Sequence, residues 1–216
     1  MTGFAGIFRT IDGIVTITDS ENDENRTTGT YSLSTKVVAV IFRGIEGATK
    51  FCDDFLKDSQ ETDIKKFLEN AKKTFEQHHD DYKEFDFSMV LISYVKPRHP
   101  VFYGLWYDPE GHHAGELPDF YLFTAAHQDL VSYLISKVYS EHMLLDEIMK
   151  LVSYVSLQCI KIFPIGYDFE ITTVSEKGIK KLSPGETKDI FHNSEKVDHK
   201  LKKTFSDFFI CGGDNT

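Results

Sequence analysis

Four of the nine histidines fall in two adjacent pairs, and the chain has three cysteines. His78-His79 and His112-His113 invite a metal, but neighbours on a strand point to opposite faces. No HExxH spacing turns two imidazoles to one side of a helix. The expectation is therefore no metal site and no cofactor. Cys52, Cys159 and Cys211 are odd in number, far apart and free of any CxxC pair. That argues against a disulfide framework or zinc ribbon and makes a reducing cytoplasm the expected location. Lysines cluster twice, as Lys177, Lys180, Lys181 and as Lys200, Lys202, Lys203, but acidic neighbours interrupt both and they read as solvated faces. A net charge of −10 opposes general affinity for nucleic-acid phosphates and favours solubility.

These residues must be carried by elements, and the apolar period supplies them. Phe4 to Phe8, then Ile14 to Thr18 after the turn at Asp12-Gly13, read as strands rich in β-branched residues. Ser20 to Arg26 is polar and aperiodic, a loop. Thr30 to Leu33 and Val37 to Phe42 follow as strands, and four strands in hairpin succession imply an antiparallel sheet. The period then becomes helical. Ala48, Phe51, Cys52, Phe55 and Leu56 share a face, as do Ile64, Phe67, Leu68, Ala71 and Phe75, with Thr62-Asp63 as cap. A second set of four strands runs through Phe87–Val95, Val101–Tyr107, His112–Glu116 and Phe120–Thr124, turning at Asp108-Pro109-Glu110-Gly111. Two helices come next, one lined by Leu130, Leu134, Ile135 and Val138, the other by Leu145 through Ile162. A hairpin over Glu176-Lys177-Gly178 and a last amphipathic helix from about Lys196 to Phe209 close the chain.

No Pro/Gly/Ser-rich linker divides this order, so one domain over 1–216 is expected, with 195–216 a C-terminal helix and tail. The strands are apolar enough to be covered on both faces, and each helix pair has one face to bury. The economical packing is α+β, a four-layer αββα sandwich of two antiparallel sheets flanked by helices. No apolar run approaches the ~20 residues that span a bilayer, and no basic leader precedes an apolar stretch.

Several strings in this order resemble the proteasome β-subunit family and its bacterial relatives, within the N-terminal-nucleophile hydrolase (Ntn-hydrolase) superfamily. Asp12 to Ser20 is similar to that family's opening hairpin, and Thr28-Gly29-Thr30-Tyr31 to the segment after it. Phe42 to Ala48 looks like the glycine-bearing turn into its first helix. Tyr107 to Gly111 looks like its central hairpin, and Ser175 to Leu182 like its final one. No single string is specific; their collinearity carries the resemblance.

The resemblance implies an amino-terminal threonine whose hydroxyl attacks a carbonyl while its own α-amine is the base. An α-amine titrates near ~8, within reach of cytosolic pH. Removal of Met1 is expected before a small residue and would unmask Thr2. Asp19 matches the family's aspartate, Gly44 the glycine whose N–H helps bind the oxyanion, and Thr124 the serine after the central strands. The match then fails. Where the family has its lysine stands Thr30; Lys36 lies too close in sequence to Gly44, in a hairpin turn. The family's later aspartate and serine fall near Ile162 and Ile165.

Two readings follow. In one the chain is a catalytically degenerate, structural member of a proteasome-like, ring-forming homo- or hetero-oligomer. In the other Thr2 is an active threonine peptidase or acyl-transferase acting on a peptide substrate. A weaker third rests on Met1 to Phe8, which looks like the opening of class II glutamine amidotransferases, with threonine in place of cysteine and no Asn-Gly pair in the chain. Neither nucleic acid nor membrane is an expected partner.

Overall fold

The computed structural model describes residues 4–19, 28–57, 59, 63–95, 99–108, 111–117, 121–124, 128–140, 142–162 and 169–211. Among the described residues, ten strands and five α-helices follow in the expected alternation. The strands are β1 (Ala5–Arg9), β2 (Gly13–Asp19), β3 (Gly29–Ser32), β4 (Val37–Arg43), β5 (Ser88–Val95), β6 (His99–Asp108), β7 (Gly111–Glu116), β8 (Tyr121–Thr124), β9 (Phe169–Ser175) and β10 (Gly178–Lys181). The helices are α1 (Ile45–Phe51), α2 (Ile64–Tyr82), α3 (Gln128–Val138), α4 (Leu145–Ile162) and α5 (Pro184–Cys211).

The strands form two five-stranded sheets whose pairings are all antiparallel. The order is β10-β9-β2-β1-β8 in the first and β3-β4-β5-β6-β7 in the second. Neither block of four consecutive strands stays together, contrary to the succession read from sequence. β1 and β2 pair in one sheet while β3 and β4 begin the other. β8 leaves its own block to flank β1. Consecutive hairpins favour neighbours, but three stacked interfaces must be filled at once, and apolar cover decides which sheet a strand joins.

Those interfaces are three apolar clusters. Ala39, Ile41, Met89 and Leu91 of the second sheet pack under α1 and α2, where Phe51 meets Phe75, Tyr82 and Phe87 at ring centroids of 5.7, 5.4 and 5.8 Å. Burying an aromatic side chain of this size is worth roughly 2–3 kcal/mol. Phe8, Val15, Ile17 and Ile171 of the first sheet pack against Ile148, Val152 and Val155 of α4, with Ile190 and Phe191 of α5 beside them. Between the sheets lie Ile7, Ile14, Val38, Val40, Ile92, Phe102 and Val174. The result is the αββα sandwich.

Two helices differ from expectation. α1 runs on through a π-helical turn at Cys52–Leu56, which presents Asp53 to the Tyr31 hydroxyl (2.5 Å) and Asp54 to that of Tyr82. α5 starts at Pro184, not near Lys196, and is 28 residues long. Ser183 and Glu186 cap each other's backbone: the Ser183 N–H donates to Glu186 Oε2 at 2.8 Å and the Glu186 N–H to Ser183 Oγ at 3.3 Å. Pro184 then occupies the first helical position, where its missing N–H costs nothing.

Candidate active site between the sheets

Strand alternation sorts the first sheet's residues by face. Val15 and Ile17 of β2 enter the helix-side core, so Thr16 and Thr18 face the other sheet. On β9, Val174 belongs to the core between the sheets, which places Thr172 and Glu170 on that same face. Register then lines up one row across the sheet. Thr124 pairs with Ala5, Ala5 with Thr18, and Thr18 with Glu170. All lie at the end where β1 begins.

The second sheet closes on this end through β3. Thr28 Oγ1 donates to the Phe4 carbonyl at 3.4 Å, holding the start of β1 against the start of β3. Thr18 Oγ1 and Thr30 Oγ1 share a hydrogen bond of 3.2 Å across the gap between the sheets. Thr18 and Thr28 are both buried. Gly29 pairs with Ile41, and β4 ends two residues later at Arg43, so Gly44 follows at this same end.

Gly44 adopts φ 65°, ψ 53° and begins α1, its carbonyl accepting the Ala48 N–H at 3.0 Å. A Cβ there would stand 2.7 Å from the Phe85 carbonyl oxygen and 2.8 Å from Phe87 Cα. Left-handed backbone and close approach both require glycine, so the position is fixed by local sterics whatever chemistry it serves.

Asp19 ends β2 opposite Phe169, and Thr124 ends β8 opposite Ala5; both backbones are in this group, and both side chains lie outside those described. Thr2 and Ile165 lie outside the described residues. Ile162 is the last residue of α4. Lys36 is not brought here. It precedes β4 while Gly44 follows it, roughly 25 Å away at strand rise. Its backbone N–H donates to Ser34 Oγ at 3.1 Å and its carbonyl accepts from Ser93 Oγ at 2.9 Å, a turn at the opposite end.

Sequence reasoning missed four residues. Thr18 is a β2 residue that meets Thr30. Glu170 and Lys181 form an ion pair at 2.5 Å, the carboxylate side chain only 10% exposed and the ammonium 63%. Thr172 Oγ1, on the residue opposite Lys181, is buried without a hydrogen-bond partner. The Thr/Val/Ile alternation of β2 carried the signal for Thr18. Glu170 and Lys181 needed the β9–β10 register, which only the folded hairpin supplies.

The histidines go elsewhere. His112 stacks on His79 of α2 with centroids 3.6 Å apart, and His113 stacks on Trp106 at 5.2 Å. Among the described residues no group of three His, Cys, Asp or Glu is placed to hold a metal ion. Cys52 is buried, and burial, with Asp53 adding to it, pushes its thiol up to about 12, so it stays protonated.

No protein-family model matches the chain, and no curated protein matches it. Among solved structures, a mutant of Anbu from Hyphomicrobium sp. strain MC1 superposes with a TM-score of 0.68 at 15% identity, over 94% of this chain and 97% of that one. The likeness is one of fold. The two antiparallel sheets with their helix layers match the sandwich of that structure over nearly its whole length.

Proposed function

We propose that this chain is a divergent proteasome-like protein, a structural and catalytically degenerate member of a proteasome-like assembly that resides in the cytoplasm. One observation carries the reading. Where the resembling family sets its lysine, this chain has Thr30, a neutral residue whose Oγ1 is hydrogen bonded to Thr18 Oγ1 at 3.2 Å with both residues half or more buried. A lysine near a nucleophile lowers the proton affinity of the groups around it, and two hydroxyls supply no such field. A threonine at position 2 would keep its α-amine as base but lose the cation that stabilises developing negative charge.

A second reading, an active Thr2 acting on peptides, draws support from Glu170–Lys181. Glu170 sits one strand beyond Thr18 in the same row, and Lys181 reaches it from β10 opposite Thr172, so a carboxylate and an ammonium return to the neighbourhood, rearranged. The two readings part on covalent labelling. Intact mass of the purified protein first reports whether Met1 is removed. Incubation of the des-Met1 protein with an epoxyketone or a β-lactone, followed by mass spectrometry, is expected to give no adduct. A stoichiometric adduct on Thr2 would establish the active reading in its place.

A further inference from the structure

We infer that the cleft at the other end of the sandwich is a binding site for a small polyanion. Its walls come from the β3–β4 turn, the start of α2, the end of β5 and the β9–β10 hairpin, and it encloses about 630 Å³. Three lysines, distant in sequence, converge on it: Lys36 from the turn, Lys65 from the first turn of α2, and Lys177 from the hairpin. All three are exposed, and none forms an ion pair with a carboxylate among the described residues. Lys180 and Lys181, close to Lys177 in sequence, are instead paired, with Glu186 and Glu170.

Two acidic residues share the wall, and both already have partners. Asp63 accepts the backbone N–H groups of Lys65 and Lys66 at 2.9 and 3.4 Å, capping α2. Glu176 likewise has an interaction of its own. The three ammonium groups of the lining outnumber its two carboxylates by one, in a chain whose net charge is −10. A region of positive potential in an acidic protein is where an anion concentrates. Tyr94, Ile64 and Ile179 are partly buried and give the cleft an apolar wall, while Thr35 and Ser175 offer hydroxyls. Flexible ammonium groups bind phosphate or carboxylate oxygens as point charges, so the ligand's shared chemistry is clustered anionic oxygens.

Isothermal titration calorimetry at constant ionic strength tests this with inorganic pyrophosphate and with citrate, which separate a phosphate from a carboxylate source. Saturable one-to-one binding of at least one probe is expected. The Lys36→Gln/Lys177→Gln double variant should weaken it by at least about tenfold, since two charge-assisted contacts are removed. Lys150→Gln, on the exposed face of α4, should leave it unchanged. The inference is overturned if neither probe binds saturably, or if both variants lower affinity equally, which would be general screening of surface charge. All three substituted side chains are exposed, so folding is retained, and circular dichroism checks it. The outcome is independent of whether Thr2 reacts.

Discussion

Thr18 and Thr30 make a hydrogen bond whose net worth is small and whose loss from one side is not. A buried hydroxyl left without its partner carries its full desolvation cost, about 1–3 kcal/mol, whereas removing both hydroxyls in favour of methyl groups of the same shape is nearly neutral. Thr30→Val should therefore lower stability by about 1–3 kcal/mol, and Thr18→Val/Thr30→Val by less than the single change. Urea midpoints of the three proteins check the ordering. If the double variant is the least stable, the pair contributes more than a satisfied contact and the polar seam is itself a stabilising feature. Gly44 shows how one residue can be fixed twice over: its φ and its 2.7 Å approach to Phe85 would demand glycine even in a chain with no chemistry. The resemblance and the sterics point to the same residue for different reasons.

α5 is anchored at its start by charge and capping together. Lys180 Nζ lies 2.6 Å from Glu186 Oε1, and the Ser183 backbone and hydroxyl donate to Oε2. The Lys180 ammonium first, and the Ser183 bonds second, hold the Glu186 carboxyl down at about 2, below its ordinary 4.5. A depressed acid stabilises the folded state above its ordinary value, and that contribution fades as pH falls from about 4.5 through about 2. Glu186→Gln should lower the urea midpoint at pH 7, with the two proteins converging as pH approaches 2. A gap unchanged across that window would mean the carboxylate does not anchor the helix. The group is exposed, so solvent screening keeps the effect modest. The early start of α5 was legible as Ser183-Pro184-Gly185-Glu186, a capping box with proline at the first helical position. The run of polar residues after it hides the helix, because the apolar stripe is sparse until Ile190-Phe191.

At the scale of the molecule, the helix layer carrying α3 and α5 leaves large apolar side chains uncovered. Tyr133 and Val138 are 59% and 58% exposed, and Val197 and Leu201 are 50% and 42%. Such surface on the outer layer favours association with further copies or partner subunits. Size-exclusion chromatography with light scattering should give a mass that is a multiple of 24.8 kDa. A monomer at micromolar concentration would remove the homo-oligomeric form of the proposal. Among the described residues no helix is long and apolar enough to cross a membrane. The order and type of the elements, and the antiparallel two-sheet sandwich, were determined by the sequence itself, because period-2 and period-3.6 apolar patterns are local properties that survive without knowing any contact. Thr28, Gly29 and Gly44 entered through the resemblance of their strings to the proteasome β-subunit family, not through periodicity. Only the tertiary structure decided that β2 and β3 belong to different sheets, that Thr18 meets Thr30, and that Glu170 finds Lys181. It also carried Lys36 away from Gly44 to join Lys177. Each of these depends on register and on the pairing of strands far apart in the chain, and a shift of one residue in register exchanges every side chain between the two faces.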